Sequence, residues 1–559
     1  MKKTIRITVA VLIGLTLTAI LYYLMLPPVN VFSPEFWIFV TVTVACIGIP
    51  LVIALSGLEI QQTTQNRNHV PGRPGIPTIK LKKGKAVVIL LICLAIPAAV
   101  IGLGTVFSST FFHARSYADV ITVQEAEFDE DMPEADVVTN ISLMDTASAA
   151  KLGNRELGAL FNVVSQYDLS HDYNQINYLG TPKKVANLEY VDFFRWFNNF
   201  TAGVPGYVMV DPVGNDASYI KFEKPMIYVD SAYFHQDLLR KLRFSYPTKI
   251  FSSINFEIDE EGNPYYIVSC MKPHVGLFGA MDVDEVIIFN PCDGTSTLYT
   301  VADAPSWIDN VFDGDLACEK YNWYGTLRGG FWNSIIGNRD CKMTTEGYGY
   351  VVRGDDVWYY TGVTSVTSDE SNIGFILTNA RTGEYKYYPV IGAEEYSAMG
   401  AAEGEVQETE YVASFPSLIN VESEPTYIMV LKDSQGLVKL YALVNVQNYS
   451  IVATGASQKE AKEAYLEQLY MRGVITEEEL PAPETKTADI TVQTVRLATV
   501  GGETMVYITA EDGVVYRGAL SADESLILVT EGMTLSVEYS DTQHEKIRAI
   551  VQWSEKAQA

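Results

Sequence analysis

Three long apolar runs open the chain: Thr4 to Leu26, Trp37 to Leu55 and Ala86 to Phe107. Each holds roughly twenty residues, and at ~1.5 Å of rise per residue a helix of that length crosses ~30 Å of hydrocarbon. None carries a charge at its centre, where one would cost several kcal/mol. Arg6 sits at an edge, from which its long side chain reaches the head groups. Pro50 and Pro97 lie inside the second and third runs, as membrane helices tolerate. The pattern predicts three membrane helices over residues 1–107. The first is expected to be an uncleaved helix and not a signal peptide, because no small-x-small pattern follows it. The runs lack the paired ions and broken-helix repeats of a transporter, so they read as an anchor.

Beyond Phe107 the pattern shortens. In residues 108–250, Ala147–Ser165 has helical spacing and Tyr207–Val210 reads as a strand. The turn signal Gly214-Asn215-Asp216 leads to a second strand at Tyr219–Phe222. Ala232–Phe244 reads as a helix with Leu238, Leu239 and Leu242 on one side. Together these predict an acidic stalk followed by a compact α+β domain.

Over residues 251–476 one order of elements recurs three times: strand, strand, turn, strand, helix. The first copy runs through Tyr265–Ser269, Glu285–Phe289 and Ser296–Tyr299 to a helix near Ser306–Phe312. The second runs through Asp356–Gly362, Ile373–Asn379 and Tyr385–Tyr388 to a helix at Glu394–Gln407. The third runs through Thr426–Asp433, Leu437–Val446 and Tyr449–Ala453 to a helix at Ser457–Met471. Two copies share a turn, Asn290-Pro-Cys-Asp-Gly294 and Asn379-Ala-Arg-Thr-Gly383, each ending five residues before a tyrosine, Tyr299 and Tyr388. The third copy lacks the glycine. This layout resembles PepSY-type modules, small units of an antiparallel sheet against a helix. That resemblance implies binding or regulation in a bacterial cell envelope, and not catalysis. Between the first two copies, Tyr321–Asn338 is rich in aromatic residues and glycine. It reads either as packed core and turns or as the lining of a groove.

After a Pro-containing linker, residues 485–555 hold five short strands with turns at Gly501-Gly502, Asp512-Gly513 and Glu531-Gly532. This resembles a small OB-like barrel. Such barrels often bind single strands through a basic groove. Here four bases, Arg496, Arg517, Lys546 and Arg548, stand amid ten acids from Asp489 to Glu545, so no nucleic-acid partner is expected. The expected fold class is thus a three-helix membrane anchor, an α+β ectodomain of sheet-plus-helix units, and a C-terminal small β-barrel.

Charge orients the anchor. Residues 1–106 hold nine of the 40 bases and two of the 68 acids, which leaves 31 bases against 66 acids beyond them. The bases gather at Met1–Arg6 and in the loop from Gly57 to Lys85, with a cluster at Lys80, Lys82, Lys83 and Lys85. The positive-inside rule puts the N-terminus and that loop in the cytoplasm and everything after Phe107 outside. The loop is expected to rest on anionic lipid heads or to dock a cytoplasmic partner.

Outside the cytoplasm disulfides are reasonable. Cys270, Cys292, Cys318 and Cys341 are candidates, and sequential pairing, Cys270 with Cys292 and Cys318 with Cys341, would close short loops. No C-x-x-C pair or histidine pair points to zinc. The acidic stretch Glu125–Asp136 reads as a solvated stalk; calcium is the alternative, though its spacing fits no EF-hand loop. Arg353-Gly354-Asp355 spells an adhesion tripeptide but sits where a hairpin turn is expected.

No nucleophile elbow, zincin, Walker A or dinucleotide fingerprint occurs, so no catalytic residue, cofactor or metal ligand is assigned. The expected function is an anchored extracytoplasmic binding or scaffolding protein whose partners are membrane lipid and another envelope or membrane protein. The alternatives are an envelope hydrolase using scattered carboxylates and an accessory subunit of a transport or secretion complex.

Overall fold

The structure is a computed structural model. It describes residues 2–56, 58–62, 77–81, 84–134, 143–366, 368–476, 480, 485–500, 503–541 and 546–556. The chain divides into two compact units, residues 1–472 and 473–559.

Among the described residues three helices are long and apolar enough to cross a membrane: α1 (Lys2–Met25), α2 (Pro34–Ser56) and α3 (Lys85–Phe107). Gly14 lets α1 meet α2 closely, since a Cβ there would lie 2.6 Å from the Ile47 Cα. Strands Leu58–Gln62 and Pro77–Leu81 pair antiparallel between α2 and α3. Lys80 lies in the second of these strands and Lys85 opens α3, while Lys82 and Lys83 fall outside the described residues. A short helix, α4 (Thr110–Ala118), follows α3 after a break at Ser108-Ser109.

Four antiparallel sheets follow. Each contains a four-strand meander paired in chain order, and a helix comes after each. Sheet I contains Asn174–Tyr178, Thr181–Tyr190, Val204–Asp211 and Asp216–Met226, followed by Leu238–Ser245. Sheet II contains Ile250–Ile258, Pro264–Val275, Gly279–Phe289 and Ser296–Thr300, followed by Gly314–Leu327. Sheet III contains Gly349–Arg353, Asp356–Ser365, Ser368–Asn379 and Tyr385–Tyr388, followed by Glu395–Glu405. Sheet IV contains Ser417–Val421, Glu424–Lys432, Val438–Asn445 and Val452–Gly455, followed by Gln458–Met471. Sheets I and II share one core around Tyr207, Val208, Val268 and Phe289. Sheets III and IV share another around Tyr360, Phe375, Tyr427 and Met429.

The turn between the third and fourth strand of every sheet starts at an Asp or Asn whose side-chain oxygen accepts a backbone N–H two or three residues on. Asp211 takes Val213 and Gly214, Asn290 takes Cys292, Asn379 takes Arg381 and Thr382, and Asn445 takes Asn448. Such a side chain imitates one turn of backbone and fixes the reversal. In sheets II and III the chain then passes through Gly294 and Gly383 at φ of 76° and 71°, where a side chain would be strained.

Two sequence expectations need correction. No helix forms at Ser306–Phe312: the segment is a turn followed by irregular chain, Val311 and Phe312 both donate to the Ala380 carbonyl, and Ser269 donates to that of Val311 at 2.6 Å. The helix begins instead where the Asp313 side chain accepts from the Asp315 N–H at 2.7 Å, an N-cap. The acidic stretch is also no solvated stalk. Val123–Glu125 adds a parallel strand beside Tyr385–Tyr388, and Phe128 and Met132 enter the core of sheets III and IV. Glu134 accepts from the Glu422 N–H at 2.5 Å, and residues 135–136 lie outside the described residues.

In the second unit, Thr485–Val500, Glu503–Ala510, Val515–Ala519, Thr534–Asp541 and Ile547–Glu555 close into a five-stranded barrel. Its strand order is first, second, third, fifth, fourth, with the third and fifth parallel. Val506, Ile508, Leu535 and Val537 fill the interior.

Candidate binding cleft

Helix Gly314–Leu327 runs along the short strand Lys342–Thr344 at the edge of sheet III. Gly325 permits that approach, because a Cβ there would lie 2.3 Å from the Lys342 carbonyl oxygen. Asn322 locks the pair together: its Oδ1 accepts from the Thr344 N–H at 2.8 Å. The helix stops at Gly329-Gly330, where Gly330 takes φ of 88°. A π-turn, Asn333–Gly337, and a loop return the chain to the strand. The Asn333 side chain organises that loop, donating to the Arg339 carbonyl at 2.9 Å and accepting from the Arg339 N–H at 3.2 Å.

These elements, with Val123 and Glu125 of the added strand and Tyr387 beside it, enclose a cleft of about 500 Å³. Three cations line it: Arg328, Arg339 and Lys342. Arg328 donates to the Tyr324 hydroxyl at 2.8 Å, and Lys342 stands 4.4 Å from the centre of the Tyr387 ring. Glu125 and Asp340 also line the cleft, yet among the described residues none of the three cations forms an ion pair with a carboxylate. Burial pushes the Tyr387 hydroxyl up to about 12, with the Glu125 charge adding to it, so this phenol stays neutral at any physiological pH, and its proton goes to the Ile373 carbonyl at 2.8 Å. The walls therefore offer positive charge and the Tyr324 hydroxyl, the chemistry that receives an anionic group.

Part of this lining comes from the aromatic and glycine-rich stretch Tyr321–Asn338, whose groove reading and packed-core reading both apply. Tyr321 is buried while Arg328 and Asn333 face the cleft. Arg339, Lys342, Glu125 and Tyr387 were not singled out in the sequence. Three bases within Arg328–Lys342, in a region so rich in acids, were the available signal. A second cavity of about 360 Å³ lies beside Lys151, Arg155 and Lys439, but Lys151 donates to the Gln435 carbonyl and Lys439 pairs with Asp433.

A buried carboxylate pair lies elsewhere, where the segment after sheet II packs against sheets I and II. Glu257 accepts from the backbone N–H groups of Asp309 and Asn310 at 2.9 and 2.8 Å and from the Asn310 side chain at 2.9 Å. Asp309 accepts from the Asn177 N–H at 2.7 Å. Burial, then the Glu257 charge, pushes the Asp309 carboxyl well above the usual range. The pair ties sheet II to sheet I.

All six cysteines are free thiols in the structure. In the structure the sequential partners stand apart. Cys270 sits opposite Glu285 in sheet II, and Cys292 lies beyond the far end of that strand, where its thiol meets the Lys224 carbonyl. Cys341 contacts the Thr326 carbonyl near one end of helix Gly314–Leu327 and Cys318 lies near the other, two turns away. A bridge needs Cα atoms within ~7 Å. Among the described residues no group of His, Cys, Asp and Glu is placed to hold a metal ion.

No protein-family model matches the sequence, and no curated protein matches it.

Proposed function

We propose that the chain is an extracytoplasmic binding protein, held to the membrane by α1–α3, whose ligand presents an anionic group to the cleft of Arg328, Arg339 and Lys342. One observation carries this reading. Residues 107–559 hold 66 acids for 31 bases, so carboxylate partners are plentiful, yet three bases at one cleft go without. A guanidinium held in a concave site with no counter-ion is a receptor for one. The basic tip and the basic loop between α2 and α3 favour a cytoplasmic face for both and an outer face for the sheets.

Topology supports binding over catalysis. Sheets II, III and IV, each with its helix, resemble PepSY-type modules, and the C-terminal barrel resembles a small OB-like barrel. Such likeness speaks to architecture, and function rests on the site. The thiol in the cleft wall, Cys341, is turned to the main-chain carbonyls of Thr326 and Arg339. The ligand of this reading is borne by an envelope component or another membrane protein. The acid-rich barrel argues against nucleic acid.

The test uses the full chain in mild detergent, with inorganic phosphate and citrate as probes. A ligand that binds only the folded state raises the thermal midpoint, by about 2.7 kcal/mol of stability at a hundred times its Kd. A saturable rise that the double variant Arg328→Ala, Arg339→Ala loses supports the reading. A midpoint that answers neither anion, or answers equally in the variant, contradicts it.

A further inference from the structure

Two groups of exposed aromatic and aliphatic side chains lie against the ends of the membrane helices. The first belongs to sheet I. Phe193–Asn199 forms a short helix that leaves Phe194 69% and Phe197 57% exposed, and Phe234 packs on Phe193 and Trp196. This group reaches α1 through Arg240, which donates to the Phe234 carbonyl at 2.6 Å and stacks 4.2 Å from the centre of the Tyr23 ring. Phe244 closes the contact, 6.0 Å from Tyr22. The second group surrounds the end of α3. Phe112 lies 5.7 Å from Phe107, Phe111 lies 5.1 Å from Phe331, and Trp332 and Ile336 stand 64% and 73% exposed beside them.

Both groups sit level with the apolar spans. Tyr22 and Gly104 each lie three residues inside the end of their helix, about 4.5 Å at 1.5 Å per residue. Phe244 meets the first, and the Phe278 ring presses on the second so closely that a Cβ at Gly104 would come within 2.5 Å of it. The body is fastened at that height by hydrogen bonds. Val29 N–H donates to the Pro247 carbonyl at 2.6 Å, Arg243 donates to the Leu26 carbonyl at 2.9 Å, and the Leu277 N–H donates to the Ser108 hydroxyl at 2.8 Å. The rings therefore cannot lie far from the plane in which the helices leave hydrocarbon.

We propose that these two groups form a collar inserted into the head-group boundary of the bilayer that α1–α3 cross, so that the sheets rest on the lipid. Three features name lipid as the occupant. The patches are continuous with helix ends that lipid must already surround. Aromatic residues favour that boundary, where one end of the ring is apolar and the other wet. Two separate parts of the chain, residues 193–244 and 107–112 with 331–336, bring such side chains to the same end of the helix bundle. Exposed apolar area of this kind marks an interaction surface. The proposal does not rest on what the cleft binds.

The test reconstitutes the full chain in nanodiscs of phosphatidylcholine and phosphatidylglycerol. A photoreactive benzoylphenylalanine is placed in turn at Phe194, at Trp332 and, as a control outside both groups, at the exposed Tyr449. All three are surface positions, so folding is preserved. After illumination, mass spectrometry is expected to find lipid adducts at Phe194 and Trp332 at least five-fold above those at Tyr449. Lipid adducts no more frequent than at Tyr449, or adducts mainly to a second copy of the chain, overturn the proposal.

Discussion

Arg353 holds Asp131 twice, donating from one guanidinium nitrogen to the carboxylate at 2.5 Å and to the main-chain carbonyl at 2.7 Å. Tyr388 donates to the same carboxylate at 2.6 Å and Lys386 at 3.0 Å. The acidic strand and its short helix are thereby fixed to sheet III, and the arginine of the Arg353-Gly354-Asp355 hairpin turn is occupied.

The Arg353 hydrogen bond, helped by Tyr388 and Lys386 and opposed by burial, holds the Asp131 carboxyl well below the usual carboxylate range. A folded-state acid depressed in this way stabilises the fold above the unfolded value, ~3.9, and loses that contribution as pH falls through the folded value. Asp131→Asn is expected to lower stability by about 2 kcal/mol at pH 7. The gap from the native chain should shrink as pH drops below about 4. Thermal unfolding of both chains in detergent across that range checks it.

Asp309 carries the opposite sign. Its carboxyl is raised, so its stabilising contribution is complete below the unfolded value and is lost as pH rises through the folded one. Asp309→Asn keeps an acceptor for the Asn177 N–H and removes the charge facing Glu257. The variant should match the native chain near pH 4 and exceed it increasingly toward pH 9, as compared by unfolding midpoints.

Gly325→Ala tests the wall of the cleft. The added methyl meets the Lys342 carbonyl, which is backbone and has little room to yield. Overpacking of this kind costs about 1–3 kcal/mol. Hydrogen exchange should speed up at Thr344, whose N–H is held by Asn322, while the barrel, a separate unit, stays unchanged.

The thiols provide a covalent check. Alkylation of the denatured chain without reductant should modify all six cysteines, and peptide mapping should find neither Cys270 joined to Cys292 nor Cys318 joined to Cys341.

The elements that sequence revealed are those whose signal is local. Twenty apolar residues without a central charge make a helix long enough to cross a membrane, and α1–α3 match the predicted runs within a few residues. Asn290 and Asn379 marked their turns because the side chain bonds within its own turn. Ser457 marked the start of its helix by capping Glu460. Long-range partners left no such trace. Ile308, Val311 and Phe312 have helical spacing, yet they are buried between sheets, and their backbone pairs with Ala380. The cations that neutralise Asp131 are more than two hundred residues away, so its stretch looked solvated. Thr181–Tyr190 is harder to read: Ala186, Leu188 and Tyr190 alternate with Asn187 and Glu189, but the alternation is short and the polar Lys184 and Asn187 are themselves buried. The cleft was half legible: its helix supplied the aromatic signal, and Glu125 and Tyr387 arrive only through tertiary pairing.

Everything proposed for the cleft requires that the sheets face away from the cytoplasm. Intact cells carrying the full chain are treated with a membrane-impermeant amine-reactive label, and labelled lysines are then mapped by mass spectrometry. Lys221 of sheet I and Lys462 on the helix after sheet IV should react in intact cells, and Lys80, Lys82 and Lys83 only after the membrane is opened. Labelling of the three loop lysines in intact cells, with the sheets protected, would contradict the account.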